Sequence, residues 1–194
     1  MSDKNNTASI DKNATYVKEA LVTLSNSWHG NRVGFFELRH ALSNAIGALN
    51  ELDCIKKTLF YGKVSPSSTN LFKENPMHLL TVDSKYCPNA FKNSEFGEKI
   101  IHGIIGVATE SGELLDLLYR TLIQCETLDE VNLKEEMGDL FWYLAVLSDA
   151  SGVSFDEVQQ VNIAKLRARY PNKFTEFDAA NRNLSNERSI LESK

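Results

Sequence analysis

Two pairs of carboxylates, each spaced three residues apart, are the residues of this sequence most suited to chemistry. Glu110 and Glu113 lie in the stretch GIIGVATESGELLDLL, and Glu136 and Asp139 lie in KEEMGDLFWYLAVL. Because residues three apart share one face of an α-helix, each pair is predicted to project from a single helix face. If the two helices run antiparallel, the four acids converge on one site.

Such a site would need a counter-charge. Two unit charges about 4 Å apart repel by about 4 kcal/mol even at an effective dielectric near 20. Mg²⁺ prefers carboxylate oxygens and keeps water and substrate phosphates as its remaining ligands. The acids therefore predict a bound divalent cation, Mg²⁺ with Mn²⁺ as a substitute.

The apolar neighbours of these acids favour a site over a solvated helix face. Leu114 and Leu117 flank the first pair, and Asp139 is the one acid within MGDLFWYLAVL. A buried aspartate costs several kcal/mol unless it is paired or bound to a metal, so a buried Asp139 implies a ligand. Glu135 points about 100° away from Glu136 around the helix and is expected to be solvated.

The acidic motifs, together with the later segment NIAKLRARYPNKF, resemble the MazG-type all-α nucleoside triphosphate pyrophosphohydrolases. That family carries an E-E-x-x-E … E-x-x-D signature followed by N-x-x-K-L-x-x-R-Y-P. The resemblance covers about residues 98–183, with the signature itself in 98–175. One position departs from the pattern: Thr109 stands where the family has the first acid of its E-E pair.

The resemblance implies Mg²⁺-dependent cleavage of a (d)NTP between the α- and β-phosphates, which gives a (d)NMP and pyrophosphate. It also implies homodimers or homotetramers. Carried over by motif, the implied metal ligands are Glu110, Glu113, Glu136 and Asp139. Glu110 or Glu113 is the implied catalytic base that takes a proton from the attacking water.

The segment after the acids supplies the substrate-binding candidates. Lys165 could meet phosphate as a point charge and Arg169 as a bidentate fork, while Asn162 could bond phosphate or sugar. Without the resemblance these would be ordinary surface charges of an amphipathic helix. The predicted substrate-binding residues are Asn162, Lys165, Arg169 and Tyr170. Trp142 and Tyr143 could stack on a base, although aromatic residues in such a run are more often core residues.

Helical periodicity without strand-like alternation predicts an all-α fold, most simply a four-helix-bundle core of MazG type with an extra N-terminal helix and a C-terminal arm. Residues 1–12 are predicted to be disordered, 13–175 to form a single domain and 176–194 to form the arm. Segment 63–93, with its three prolines, is a candidate lid or interface element. The predicted helices cover residues 15–27, 33–61, 94–124, 127–150 and 154–170. Gly62 and Gly152 are predicted to end the second and fourth of these helices, and the Tyr170-Pro171 step to end the fifth. Thr127 with Glu130 and Ser154 with Glu157 are predicted capping boxes at the starts of the last two helices.

Composition excludes some functions. The net charge of −5 argues against a general nucleic-acid or anionic-membrane surface. The polar N-terminus and the absence of a long apolar run predict a cytoplasmic protein. Cys54, Cys87 and Cys125 lack zinc-site spacing and are interpreted as reduced thiols in packing roles.

Three alternatives stay open at this point. The chain could be a non-catalytic relative that binds nucleotides or a partner protein. It could hydrolyse another phosphoanhydride, as dUTPase-like or phosphoribosyl-ATP-cleaving relatives do. A di-iron oxidase is a weaker alternative, since Glu37 and His40 form a single Glu-x-x-His, whereas such bundles need two.

Overall fold

The computed structural model describes residues 12–25, 27–63 and 93–193, and these ranges contain α-helices and no β-strand. The predicted all-α class is thus confirmed, while the bundle arrangement stays a prediction. Residues 1–11 and 64–92, where disorder and a lid were predicted, lie outside the described residues. The helices are α1 (Lys12–Leu21), α2 (Phe35–Tyr61), α3 (Ser94–Ile123), α4 (Glu130–Ser151), α5 (Phe155–Arg169), α6 (Glu176–Ala180) and α7 (Leu184–Glu192), with a short 3₁₀ turn at Gly30–Arg32.

The described residues of 31–152 form one compact group in which α3 packs against both α2 and α4. Asn93 caps α3, because its side chain accepts a hydrogen bond from the Phe96 N–H. Gly62 and Gly152 end α2 and α4 in left-handed conformations, with φ of 63° and 72°. Both glycines were predicted as helix terminators, and both predictions are confirmed.

Glycines on α3 allow its neighbours to approach closely. A methyl group added to Gly106 would overlap the ring of Tyr143 on α4, and one added to Gly112 would come within 2.9 Å of Leu49 on α2. The two glycines therefore bring α2 and α4 close to the helix that carries Glu110. Any larger residue at Gly106 would force α3 and α4 apart.

The second compact group comprises the described residues of 1–30 and 153–194. Within it, α5 packs against α1 and α7. Ser154 caps α5 as predicted, since its hydroxyl oxygen accepts a hydrogen bond from the Glu157 N–H at 3.2 Å. The helix ends at Arg169, just before the predicted Tyr170-Pro171 stop.

Three local predictions are wrong. Asp129, and not Thr127, caps α4, because its carboxylate lies closer to the helix start and accepts hydrogen bonds from two backbone N–H groups. Helix α1 ends at Leu21, where two turn residues follow instead of a further helical turn. Cys54 and Cys125 are exposed, so neither fills a packing role.

Candidate metal and nucleotide site

Three of the predicted acids converge where α3 meets α4. One side-chain oxygen each of Glu110, Glu136 and Asp139 lies within 4.8 Å of the others. Around a Mg²⁺ ion with bonds of about 2.0–2.1 Å, ligand oxygens stand about 2.9 Å apart when adjacent and about 4.2 Å apart when opposite. The three carboxylates therefore fit a shared hard cation after small side-chain movements.

Glu136 occupies the least favourable position for a charge in this group. Glu136 is only 7% exposed to solvent. Burial, followed by the charges of Glu113, Glu110 and Asp139, raises the pKa of Glu136 to about 7. A cation at this position would relieve both causes, because it would replace lost hydration and offset the repulsion.

Glu113, the fourth predicted ligand, lies outside the tight group of three and is exposed. It is still close enough for its charge to be the largest electrostatic contribution to the raised pKa of Glu136. Its assignment as a metal ligand or base stays a prediction. Glu135 is exposed, as expected from its direction on α4.

Asp139 is exposed, which corrects the expectation that it is buried. The reason is that α4 turns Glu136 and Tyr143 toward α3, and Asp139 is offset from Glu136 by about 60° around the helix axis. Asp139 thus lies at the rim of the acidic group instead of beneath it. Of the two aromatics, Tyr143 is buried, as favoured, whereas Trp142 is 52% exposed.

Lys56 on α2 is a site residue that the sequence reasoning missed. It is only 3% exposed. Its ammonium group donates hydrogen bonds to Glu110 Oε1 at 2.8 Å and to Thr109 Oγ1 at 2.7 Å. It also lies 3.1 Å from Asp53 Oδ1. Burial by itself lowers the pKa of Lys56, but its hydrogen bonds, above all the one to Glu110, outweigh burial and raise that pKa above its usual range.

An aromatic ring covers one side of the Lys56 ammonium group. The Lys56 Nζ atom lies 4.9 Å from the centre of the Tyr143 ring, an attractive cation–π distance. The Tyr143 hydroxyl is 3.3 Å from that of Tyr61. A sequence signal for Lys56 did exist, because it continues the helical stripe of Leu49, Leu52 and Leu59 at spacings of three and four.

The predicted substrate-binding residues lie in the second compact group, and two of them have evident structural partners. Arg169 donates to both carboxylate oxygens of Glu187, from Nε at 2.9 Å and from Nη2 at 2.5 Å. Tyr170 is 8% exposed and its ring centre lies 5.4 Å from that of Phe174.

The other two substrate-binding candidates are less enclosed. Asn162 Oδ1 accepts a long hydrogen bond from the Tyr16 hydroxyl at 3.4 Å, and Lys165 is half-buried. All four assignments stay predictions. For the di-iron alternative, the described ranges offer the acidic group alone as a cluster of three or more metal-type ligands, and His40 pairs with Asn44 on its own helix.

Comparison with known proteins agrees with the motifs. No curated protein and no solved structure matches the chain significantly. Among the described helices, none is long and apolar enough to cross a membrane. The family model of the MazG nucleotide pyrophosphohydrolase domain matches residues 103–174, which include both acid pairs and the NIAKLRARYPNKF segment. The resemblance drawn from these motifs is therefore confirmed: residues 103–174 are similar to the MazG nucleotide pyrophosphohydrolase domain.

Proposed function

We propose that this protein is a Mg²⁺-dependent pyrophosphohydrolase that cleaves a (d)NTP to a (d)NMP and pyrophosphate. The observation that carries the proposal is the convergence of Glu110, Glu136 and Asp139 inside the segment matched by the family model. Glu136 is buried among other acids and would be stabilised by a cation, and a cation would also allow a chain of net charge −5 to bind a triphosphate.

Within this proposal, Glu110, Glu136 and Asp139 hold the cation and Glu113 completes the ligand set. The bound ion would offset the charge of the triphosphate and make a coordinated water more acidic. Glu113 is the better candidate for the proton acceptor, because Glu110 already receives a hydrogen bond from the Lys56 ammonium group. Glu110 stays the alternative base.

Lys165 and Asn162 are proposed to bind the phosphates and sugar. The family match extends through this segment, which supports both assignments. Arg169 and Tyr170 keep a proposed role at the substrate, but the bidentate contact of Arg169 with Glu187 favours a contribution through local structure. Trp142, half-exposed and one turn after Asp139, is a candidate surface for stacking on the base.

Homodimers or homotetramers are proposed for the assembly. Helix α4 exposes several large apolar side chains, which a monomer would leave in contact with water. The exposed fractions are 76% for Val131, 48% for Met137, 58% for Phe141 and 52% for Trp142. Sedimentation of the purified chain should give a mass at least twice that of one protomer.

The test is a screen of the eight common NTPs and dNTPs with Mg²⁺, in which the monophosphate, diphosphate, pyrophosphate and phosphate products are resolved. Glu113→Gln and Asp139→Asn should abolish pyrophosphate release. Glu135→Gln is the matched control, because Glu135 is an exposed acid of the same helix that lies outside the group of three acids. Normal turnover by both site variants would contradict the proposal.

A non-catalytic nucleotide-binding relative is the second candidate function. Thr109, which replaces the first acid of the family motif and bonds to Lys56, is the observation in its favour. Tight binding of a nucleotide with no product across the whole screen would support it. Release of phosphate or of a diphosphate would instead indicate a different phosphoanhydride hydrolase.

A further inference from the structure

Lys56 is the buried cation nearest the acids among the described residues, and the resemblance to the family assigns it no role. Its three oxygen partners, Thr109, Glu110 and Asp53, lie at 2.7, 2.8 and 3.1 Å. An ammonium group has three N–H donors, so these contacts use all of them. The ring of Tyr143 covers a further side of the ammonium. The position of Lys56 is thus fixed by its surroundings.

The neighbouring Lys57 shows what an ordinary lysine does on the same helix. Its side chain is 45% exposed and pairs with Asp53 one turn earlier. Lys56 differs because it reaches across to α3 and binds Glu110, which also belongs to the acidic group. A lysine that served only to stabilise α2 would not need a carboxylate from that group.

Thr109 adds a second observation. It is 4% exposed, and its hydroxyl donates to the Gly106 carbonyl at 3.0 Å while accepting from Lys56. The family pattern has an acid at this position. In this chain the neutral hydroxyl of Thr109 contacts the ammonium group of Lys56. A carboxylate at position 109 would instead add a negative charge that attracts a further cation.

We propose that Lys56 is the resident counter-cation of the acidic site. It holds one oxygen of Glu110, leaves the other oxygen for a divalent cation, and restricts the nucleotide-free protein to one such ion per chain. The inference rests on the proposed function in so far as the acids bind a divalent cation at all.

The physical consequence is competition. Lys56 and a divalent cation share the charge of Glu110, and like charges at such short range repel strongly even at an effective dielectric of about 20. Removing the charge of Lys56 should therefore strengthen metal binding while it weakens the metal-free fold. A lysine with a purely structural role would change the fold and leave the affinity for the metal unaltered.

The experiment is calorimetric titration of Mn²⁺ into the metal-free, full-length protein. The wild type should bind one ion per chain. Lys56→Gln keeps an N–H donor but no charge, and its Mn²⁺ dissociation constant should fall by about tenfold. Lys57→Gln is the matched control, since it removes the adjacent charge, and its dissociation constant should stay within about twofold of the wild-type value.

A second variant keeps the test decisive if Lys56→Gln does not fold, as judged by circular dichroism. Asp53→Asn removes a partner of Lys56, so the ammonium should hold Glu110 more firmly and Mn²⁺ binding should weaken by about threefold. Glu51→Gln is its control, because it removes one negative charge from an exposed position of the same helix. Equal affinities in Asp53→Asn and Glu51→Gln would overturn the proposal.

The outcomes separate this inference from the proposed function. A wild type that binds no Mn²⁺ overturns both. A wild type that binds two ions, or a folded Lys56→Gln whose affinity is unchanged or weaker, overturns the role of Lys56 and leaves the hydrolase proposal intact. One ion in the wild type with tighter binding in Lys56→Gln supports the inference.

Discussion

Glu136 and Glu187 are both glutamates with less than a tenth of their surface exposed, yet their surroundings are opposite. The carboxylate of Glu187 accepts hydrogen bonds from Arg169 and Arg182, at 2.5 and 2.7 Å for the two closest. These bonds, first that of Arg169 and then that of Arg182, lower the pKa of Glu187 to about 2. Glu136 is surrounded by other acids, and burial with their repulsion raises its pKa to about 7.

The difference separates a carboxylate with positive partners in the chain from one that is proposed to bind a cation. Glu187 has its positive partners within the chain, so it links α7 to α5 and needs nothing further. Glu136 has no such partner on the described residues, and the nearby Lys56 bonds to Glu110 instead. An acid held in an unfavourable state by a rigid fold is a candidate for binding a ligand that relieves it.

The largest expected effect is on activity. Glu136→Gln should reduce pyrophosphate release by about 100-fold or more, because it removes a proposed metal ligand, whereas Glu187→Gln should leave turnover by the folded protein within a few-fold of wild type. Turnover with saturating Mg²⁺ measures both. If Glu187→Gln were as inactive as Glu136→Gln while still folded, burial alone would explain the loss and the comparison would fail.

The next largest expected effect is on substrate affinity, and it should distinguish the Lys165→Ala variant from the Arg169→Ala variant. Lys165→Ala should raise the KM for the nucleotide by about tenfold through loss of a charge-assisted contact, with an unchanged melting temperature. Arg169→Ala should mainly lower the melting temperature, because it leaves Glu187 with one fewer partner. Steady-state kinetics and a thermal melt of each variant distinguish the two. Equal KM values for Lys165→Ala and wild type would remove Lys165 from the site.

Substitution of the two glutamates should shift the melting temperature of the metal-free protein in opposite directions. In EDTA at pH 8, Glu136→Gln should raise it by about 5 °C, because the substitution removes repulsion among the acids. Glu187→Gln should lower it by a similar amount, about 5 °C, since two arginines lose a charged partner. Thermal unfolding followed by circular dichroism checks both signs. A decrease in both variants would show that Glu136 is stabilised by contacts of its own.

The smallest expected effect is a pH dependence of stability. The folded pKa of Glu136, about 7, exceeds its ordinary value of 4.5, so its contribution to the free energy of unfolding is present below pH 4.5 and is lost as pH rises through 7. For Glu187, with a pKa of about 2, the contribution is present above pH 4.5 and is lost as pH falls toward 2. Urea denaturation of the metal-free protein should show both changes in the free energy of unfolding with pH.

The control for the pH experiment is Glu136→Gln. Its free energy of unfolding should no longer decrease as pH rises through 7, but should still decrease as pH falls toward 2. Saturating Mg²⁺ should also remove the decline through pH 7, since a bound cation favours the ionised carboxylate. A wild type whose stability is flat from pH 5 to pH 8 in EDTA would contradict the raised pKa of Glu136.

The acids could be predicted from sequence because their evidence is local. Spacing of three residues fixes the face of a helix, and the motif around each pair is matched by a family model. Burial could not be predicted equally well, because it depends on which neighbours cover a helix face. Asp139 is exposed at the rim although it lies in an apolar run of the sequence. Lys56 is almost fully buried although its helix has an ordinary amphipathic pattern.

The sequence by itself determined the all-α class, the glycine ends of α2 and α4, the family resemblance and the identity of the acidic residues. Each of these follows from interactions within a few residues along the chain, which periodicity and motifs record. Only the tertiary structure decided that Lys56 meets Glu110, 54 positions later, and that Arg169 is bound to Glu187. Such pairings depend on how separate helices pack. Coulomb attraction between residues far apart in the sequence produces no periodic pattern from which the pairing could be predicted.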